Sequence, residues 1–175
     1  LVFPADCEAC GHPLNAGHNS CLCSSCLTSF IPPPPPLCAR CGVPLAGALT
    51  CVDCRRRPPA FAEARAIGLY LSGPRGLNPV ARAVQALKYG RRRVVARTLG
   101  RLLAAGYSFP SDALLVPVPL HRSRLRQRGF NQALLLARAL ARARGLDLAP
   151  RALVRTRPTT AQTGLGSSAR GQNLA

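Results

Sequence analysis

The spacing of apolar residues after about residue 60 predicts alternating strands and helices. The pair Asn78-Pro79 is typical of a helix start, because asparagine caps free backbone amides and proline has no amide to leave unbonded. Apolar residues then recur at helical spacing, at Val80, Ala83, Val84 and Leu87. Two more helices are expected, over about 92–105 and from Asn131 to a stop at Gly145. Short apolar runs predict strands at 64–71, 113–118 and 153–157.

The first 58 residues follow a different pattern, in which cysteine pairs replace apolar periodicity. Eight of the nine cysteines form four C-x-x-C pairs: Cys7 and Cys10, Cys23 and Cys26, Cys38 and Cys41, Cys51 and Cys54. The first pair and its flank, C-x-x-C-G-x-P-L, recur 31 residues later. Two such pairs supply the four thiolates of a tetrahedral zinc site, and the glycine suits a tight knuckle around the sulfurs.

The repeat favours two sequential zinc ribbons, one from the first two pairs and one from the last two. An interleaved arrangement, first pair with third, is an open alternative, and Cys21 could replace Cys23 as a ligand. A disulfide framework would need an oxidising compartment that nothing in the sequence indicates. The prolines at 32–36 form a stiff spacer between the ribbons. With so few apolar residues, this region is expected to depend on one or two zinc ions for its fold.

Charge adds a preference for an anionic partner. The chain has a formal net charge of +18, with 24 basic residues, of which Lys88 is the only lysine, and six acidic ones. Nucleic acid or a phosphorylated small molecule suits such a field, although GC-rich coding also enriches arginine. No apolar run is long enough to span a membrane and no signal peptide is evident, so the sequence predicts a cytoplasmic protein without membrane insertion. Because residue 1 is not methionine, the chain is expected to begin inside a longer reading frame.

One stretch concentrates the charge where ligands bind in α/β proteins. Four arginines lie within seven residues, from Arg122 to Arg128, between the predicted strand at 113–118 and the helix that Asn131 caps. A basic loop at the end of a strand and the start of a helix suits a phosphate group. The alternative is a solvated basic loop without a ligand. Lys88, at the end of its predicted helix, is also explained as a cation that complements the helix dipole.

Several motifs, taken in order, resemble the ComF family of bacterial proteins. They are the cysteine pairs behind a Leu-x-Phe-Pro start, Leu87-Lys88-Tyr89-Gly90, Val116-Pro117-Val118-Pro119-Leu120-His121, Arg128-Gly129-Phe130-Asn131-Gln132, Arg155-Thr156-Arg157-Pro158-Thr159, Gln162 and Arg170-Gly171-Gln172-Asn173. The resemblance implies a double zinc ribbon over 1–58 and, over 60–175, a type I phosphoribosyltransferase-like domain, an incomplete parallel sheet with flanking helices. It also implies a link to DNA uptake during natural competence.

The resemblance further implies that the basic stretch binds phosphoribosyl pyrophosphate, accompanied by magnesium in the full-length protein. The residues implied are His121, Arg122, Arg124, Arg128 and Gly129, supported by Lys88 and Asn131, with Gln162 and Arg170 beside them. The family's Asp-Asp strand and ribose-phosphate loop are expected after Asn173, so the chain is expected to be a C-terminally truncated fragment without catalytic residues or transferase activity. The alternatives are zinc-dependent binding of single-stranded DNA, or a module that contacts a DNA-uptake helicase.

Overall fold

The computed structural model describes residues 6–15, 19–73 and 76–159, together with residues 166 and 169. In chain order its elements are α1 (Ser24–Thr28), α2 (Val52–Arg56), β1 (Ser72–Gly73), β2 (Gly76–Leu77), α3 (Pro79–Lys88), α4 (Val94–Gly106), β3 (Leu114–Leu115), α5 (Arg122–Arg128), α6 (Gln132–Arg144) and β4 (Asp147–Leu148). Short helices α1 and α2 belong to the cysteine region, and the longer helices follow it.

The three helices expected from apolar spacing are confirmed as α3, α4 and α6. The Asn78 side chain caps α3 by accepting a hydrogen bond from the amide of Ala81 at 2.9 Å, with Pro79 in the first turn. Asn131 caps α6 in the same way, accepting from the amide of Ala133 at 2.9 Å, and Gly145 ends that helix in the left-handed conformation. Local cap chemistry therefore determines where these helices begin and end.

Helices α4 and α6 pack closely because glycine faces the contact. A Cβ atom at Gly100 of α4 would collide with the Cβ of Ala139 and come within 3.0 Å of the Leu136 carbonyl oxygen of α6. Only a residue without a side chain allows the two backbones to approach this far. Helix α4 also contacts α3, so α4 lies between the other two long helices.

The first ribbon, residues 7–15 and 19–26, shares one hydrophobic core with the helices. Its Leu22 and the Val95 side chain of α4 are both fully buried. The buried members of this core are Cys7, Ala9, Leu14, Cys21, Leu22, Cys26, Ala83, Leu87, Val95, Ala96, Leu99 and Phe130. The first ribbon is thus part of the packed interior and not a separate appendage.

The second ribbon, residues 38–54, contributes no side chain to that core within the described ranges. It contacts the connecting segment instead: the amide of Ala64 donates to the Arg40 carbonyl at 2.6 Å, and the Arg65 guanidinium donates to the Ala39 carbonyl at 3.3 Å. Gly42 lies against the same segment, where a Cβ atom would come 2.5 Å from the Ala64 oxygen. Hydrogen bonds to its backbone carbonyls, rather than apolar packing, attach this ribbon to the connecting segment.

Strands are shorter than the apolar runs predicted. The prediction of a strand at 64–71 is wrong. Side chains, and not a neighbouring strand, form hydrogen bonds with this backbone: the Tyr107 hydroxyl donates to the Ala66 carbonyl at 2.7 Å, and the Asn78 side-chain amide donates to the Leu69 carbonyl at 2.8 Å. The strand expected at 113–118 is reduced to β3. The prediction of a strand at 153–157 is also wrong. The strand that pairs with β3 in parallel is β4, which lies before this segment in the sequence.

The basic stretch expected to be a loop forms helix α5, so that expectation is wrong. The His121 ring caps this helix by accepting from the amide of Ser123 at 3.3 Å, and Gly129 ends it at a φ of 81°. A capping side chain at the start and a glycine stop at the end are sufficient local signals for a short helix. The four arginines are consequently displayed around a helix.

The α/β class with an N-terminal metal-binding module is confirmed. Strands β3 and β4 run parallel, joined by the helical connection that parallel pairing requires, while β1 and β2 form an antiparallel pair. Among the described residues, no helix has the length and apolar character needed to cross a membrane.

Candidate metal centres and anion pocket

The structure brings the eight paired cysteines into two sequential sets. The sets are Cys7, Cys10, Cys23 and Cys26, and Cys38, Cys41, Cys51 and Cys54, with all sulfurs of a set within 4.8 Å of one another. Two sulfurs of each set are 3.7 Å apart, from Cys10 to Cys23 and from Cys41 to Cys51. Tetrahedral zinc with bonds of about 2.3 Å separates its sulfurs by about 3.8 Å, so both sets fit zinc.

Equivalent backbone hydrogen bonds build both knuckles. In the first, the Cys7 amide donates to the His12 carbonyl at 2.8 Å, and in the second the Cys38 amide donates to the Val43 carbonyl at 2.9 Å. The glycine after each second cysteine has a φ of 75° or 70°, a conformation that favours glycine. The repeat seen in the sequence is therefore a repeat of local structure.

Amides directed at the sulfurs favour the thiolate in each set. Backbone N–H groups of Cys51 and Cys41 lower the pKa of Cys38 to about 6. Burial acts to raise the pKa of Cys7, but hydrogen bonds from the amides of Cys23 and its neighbours outweigh it and lower that pKa also to about 6. Burial raises the pKa of Cys54 to about 12. Cys7 and Cys38 thus offer thiolates at neutral pH, whereas the ion must displace a proton from Cys54.

The ninth cysteine lies outside both sets. The buried Cys21 sulfur lies 3.3 Å from the hydroxyl oxygen of Thr98 in α4, and its amide donates to the same oxygen at 3.5 Å. Burial raises the pKa of this thiol. Cys21 therefore connects the first ribbon to the helices, and Cys23 occupies the place among the ligands.

A cavity of about 240 Å³ lies between the end of α3 and helix α5. It is lined by Lys88, Tyr89, Arg91, Arg124, Gln127 and Arg128. None of the six acidic residues, all of which the structure describes, is among its lining residues. Four cations thus line one half-open cavity without a carboxylate beside them, an arrangement that favours an anion. We call it the anion pocket.

Neighbouring groups hold the pocket arginines in place. The Arg124 guanidinium donates to the Gln127 side-chain oxygen at 3.0 Å, and the Arg128 guanidinium donates to the Gln132 side-chain oxygen at 2.7 Å. The Arg128 guanidinium also lies 5.7 Å from the centre of the Tyr89 ring. These neutral partners orient the cations without neutralising their charge.

Only part of the sequence-predicted phosphate set reaches this pocket. Lys88, Arg124 and Arg128 line it, whereas the other described members do not: His121 caps α5, Arg122 is exposed at its start, Gly129 ends it, and Asn131 caps α6. The Asn131 side-chain amide also donates to the Val118 carbonyl at 3.0 Å. Gln162 and Arg170 lie outside the described residues.

Arg91 is the pocket cation that the sequence analysis missed. It follows α3 by three residues in a left-handed conformation, with a φ of 54°, and donates to the Gln127 carbonyl at 3.1 Å. The feature of the sequence that could have indicated Arg91 is its place in the run of three arginines just after α3, the helix that ends at Lys88. Arg91 reaches the pocket because α5 forms a helix beside that run.

Comparison with known proteins finds a family match for the ribbon region and relatives that match nearly the whole chain. A profile of the double zinc ribbon domain matches residues 1–55. DNA utilization protein YhgH of Escherichia coli K12 is 32% identical over 184 residues, covering 99% of this chain and 77% of that protein. Competence protein F of Haemophilus influenzae is 30% identical over 98% of this chain and 75% of its own length. No solved structure matches the chain. The chain therefore belongs to the ComF family, which includes these DNA utilization and competence proteins.

Proposed function

We propose that this protein acts in DNA utilization and binds a phosphoribosyl pyrophosphate-like ligand through its anion pocket. The first part follows from the names of its relatives, DNA utilization protein and competence protein F. The second is carried by one observation, the four cations around a cavity that no carboxylate lines. The proposal concerns ligand binding and does not extend to catalysis. The ligand-binding part is a phosphoribosyltransferase-like region at 60–175, which follows the ribbons at 1–58.

Phosphate groups suit the pocket better than other anions of similar size. A guanidinium group carries planar pairs of donors that match two phosphate oxygens at once, and Arg124 and Arg128 both line the cavity, where Lys88 adds a compact charge. Placing these cations together is unfavourable without a polyanion, and a pyrophosphate relieves the repulsion of several at once.

Titration calorimetry with inorganic pyrophosphate, with and without magnesium, tests the pocket. Arg124→Ala and Arg128→Ala are each expected to weaken binding by about 10- to 100-fold, the worth of a charge-assisted hydrogen bond. Arg126→Ala is the matched control, because Arg126 is an exposed arginine on the same helix that does not line the cavity. Equal losses from all three substitutions would show that only the general positive charge matters, and the pocket proposal would fail.

Single-stranded DNA is the second candidate ligand, favoured by the net charge of +18 and the exposed cations of α5. An extended strand would contact Arg126 as well as the pocket, so the same three variants separate the candidates. Binding of a short oligonucleotide should then weaken with salt, with a slope of about −0.7 per phosphate contacted. A strong dependence on Arg126 together with a steep salt slope would favour DNA over the pocket ligand.

We also propose that each cysteine set holds one zinc ion, which the fit of the sulfurs and the ribbon match support. Zinc analysis of the purified chain is expected to give two ions. Cys23→Ser should reduce this to one, whereas Cys21→Ser should leave two, because the Cys21 sulfur lies beside Thr98 and outside the set. Loss of an ion from Cys21→Ser with retention in Cys23→Ser would reverse the assignment.

A further inference from the structure

Three consecutive arginines after α3 contact two other parts of the molecule, the end of α5 and the first ribbon. Arg91 donates to the Gln127 carbonyl of α5 at 3.1 Å. Arg93 donates to the Gly129 carbonyl at 3.3 Å and lies 5.0 Å from the centre of the Phe130 ring. Arg92 points the other way and pairs with Glu8 of the first ribbon. This short segment therefore lies between the zinc knuckle and the anion pocket.

The pair of Arg92 and Glu8 has close, two-point geometry. The Arg92 Nε lies 2.9 and 2.7 Å from the two Glu8 carboxylate oxygens, and a terminal guanidinium nitrogen lies 2.6 Å from one of them. The Glu8 side chain is only 12% exposed, so few water molecules can replace its partner. Such a carboxylate depends on its arginine more than an exposed one does.

The first zinc site holds Glu8 in position. Glu8 lies between the ligands Cys7 and Cys10, and its amide donates to the Cys21 carbonyl at 2.9 Å. Both ends of the ion pair are therefore constrained, one by the knuckle and the other by the arginine segment. A shift of the knuckle would move Arg92 and, with it, the adjoining pocket residue Arg91.

The conformation of Arg91 gives this constraint a function. Its left-handed backbone is unfavourable for a residue with a side chain, and it persists only where the surroundings fix it. The next residue, Arg92, is held at two points: its amide donates to the Ala86 carbonyl of α3 at 3.0 Å, and its side chain pairs with Glu8. Without Glu8, Arg91 has less to hold it at the pocket.

We infer that Glu8 is a positioning residue for the anion pocket, coupling the first zinc site to phosphate binding through Arg92 and Arg91. This inference rests on the proposed pocket function. It distinguishes the two zinc sites, because the contacts described for the second ribbon lead to Ala64 and Arg65 and not to the pocket. Metal at the first site therefore supports the pocket, and metal at the second does not.

The decisive variant is Glu8→Gln, because positioning and simple electrostatics predict opposite results. Removing a negative charge would strengthen anion binding if only net charge mattered. Loss of positioning instead weakens pyrophosphate binding, by about tenfold for a typical coupling between sites. Glu63→Gln is the matched control, since it removes the carboxylate of a different ion pair, with Arg65 at 2.8 Å, and should leave the affinity unchanged.

The experiment compares wild type, Glu8→Gln, Arg92→Gln, their double variant and Glu63→Gln, all loaded with zinc. If the two residues act through each other, the double variant loses less affinity for pyrophosphate than the two single losses combined would give. Tighter or unchanged binding by Glu8→Gln would overturn the inference while leaving the pocket proposal intact. Absence of binding by the wild type would instead refute the proposed function.

Hydrogen exchange provides a readout that needs no ligand and no retained affinity. Glu8→Gln is expected to reduce amide protection at residues 90–93 and 122–128, whereas Glu63→Gln should not. Zinc content measured on the same samples shows whether the knuckle itself is intact. Unchanged protection in both segments of a zinc-loaded Glu8→Gln protein would contradict the positioning role, whether or not pyrophosphate binds.

Discussion

The two ribbons share one motif but differ in what surrounds it. The amide of Glu8 bonds to the Cys21 carbonyl in the first, and the amide of Ala39 bonds to the Leu49 carbonyl in the second, so Cys21 and Leu49 occupy equivalent places. Cys21 is 8% exposed, whereas Leu49 is 85% exposed. The cysteine spacing therefore determines a metal site, and the flanking residues determine whether that site becomes part of the core.

The difference lies mainly in the residue just before the third cysteine of each set, which is Cys23 in the first ribbon and Cys51 in the second. This residue is Leu22, fully buried, in the first ribbon and Thr50, partly exposed, in the second. Apolar burial stabilises the folded state in proportion to the area removed from water, so only the first ribbon gains from contact with α4. The second must rely on its metal and a few backbone contacts.

Truncating the apolar residue at each ribbon tests this contrast with the largest expected effect. Leu22→Ala leaves a cavity in the shared core and should lower the free energy of unfolding by about 2–5 kcal/mol. Leu49→Ala removes an exposed side chain and should change it by less than about 0.5 kcal/mol. Denaturant titration of the zinc-loaded chain measures both values, and similar losses would mean that the ribbons are equally integrated.

The hydroxyl that joins the first ribbon to α4 gives a smaller effect. Thr98→Val removes the partner of the Cys21 amide and thiol and should cost about 0.5–1.5 kcal/mol of stability. Thr50→Val, in the second ribbon, changes the same residue type outside the core and should be close to neutral. A neutral Thr98→Val would indicate that packing alone holds the first ribbon to the helix.

Acidification is expected to distinguish the ribbons least. Cys7 and Cys38 both have a pKa of about 6, below the ordinary pKa of a thiol. Their thiolates therefore stabilise the folded knuckles in full at pH values above that ordinary pKa. This contribution is lost as pH falls through 6, and protons also compete with zinc for the thiolates as the pH is lowered. Zinc release followed against pH should therefore give nearly equal midpoints, and a first site that retains zinc to a pH lower by about one unit would disagree.

Local chemistry made the helices and the grouping of the cysteines predictable from the sequence. Asparagine caps, a proline in the first turn and a glycine stop are short-range signals, and they located α3 and α6 to within a residue or two. Each of the four C-x-x-C pairs is likewise a short-range signal for the tight turn that it forms. The sequential grouping into two sets agrees with the repeat from which it was expected.

Features that depend on distant partners were not predictable in the same way. The segment 64–71 has a strand-like composition, but side chains of Tyr107 and Asn78 bond its backbone where a neighbouring strand would. The pocket residue Arg91 gains its role from α5, which is distant in sequence. The attachment of the first ribbon through Leu22 and the pairing of Glu8 with Arg92 are tertiary contacts of the same kind.

Hydrogen exchange after loss of one ligand from each ribbon tests the account most directly. Cys10→Ser and Cys41→Ser occupy equivalent places in the repeat, and each removes one thiolate from its set. Cys10→Ser is expected to reduce amide protection in the first ribbon and in α3 and α4, while Cys41→Ser should reduce it only in the second ribbon and its contact at 63–65. Loss of protection in α3 and α4 from both variants, or from neither, would contradict the unequal roles of the two zinc sites.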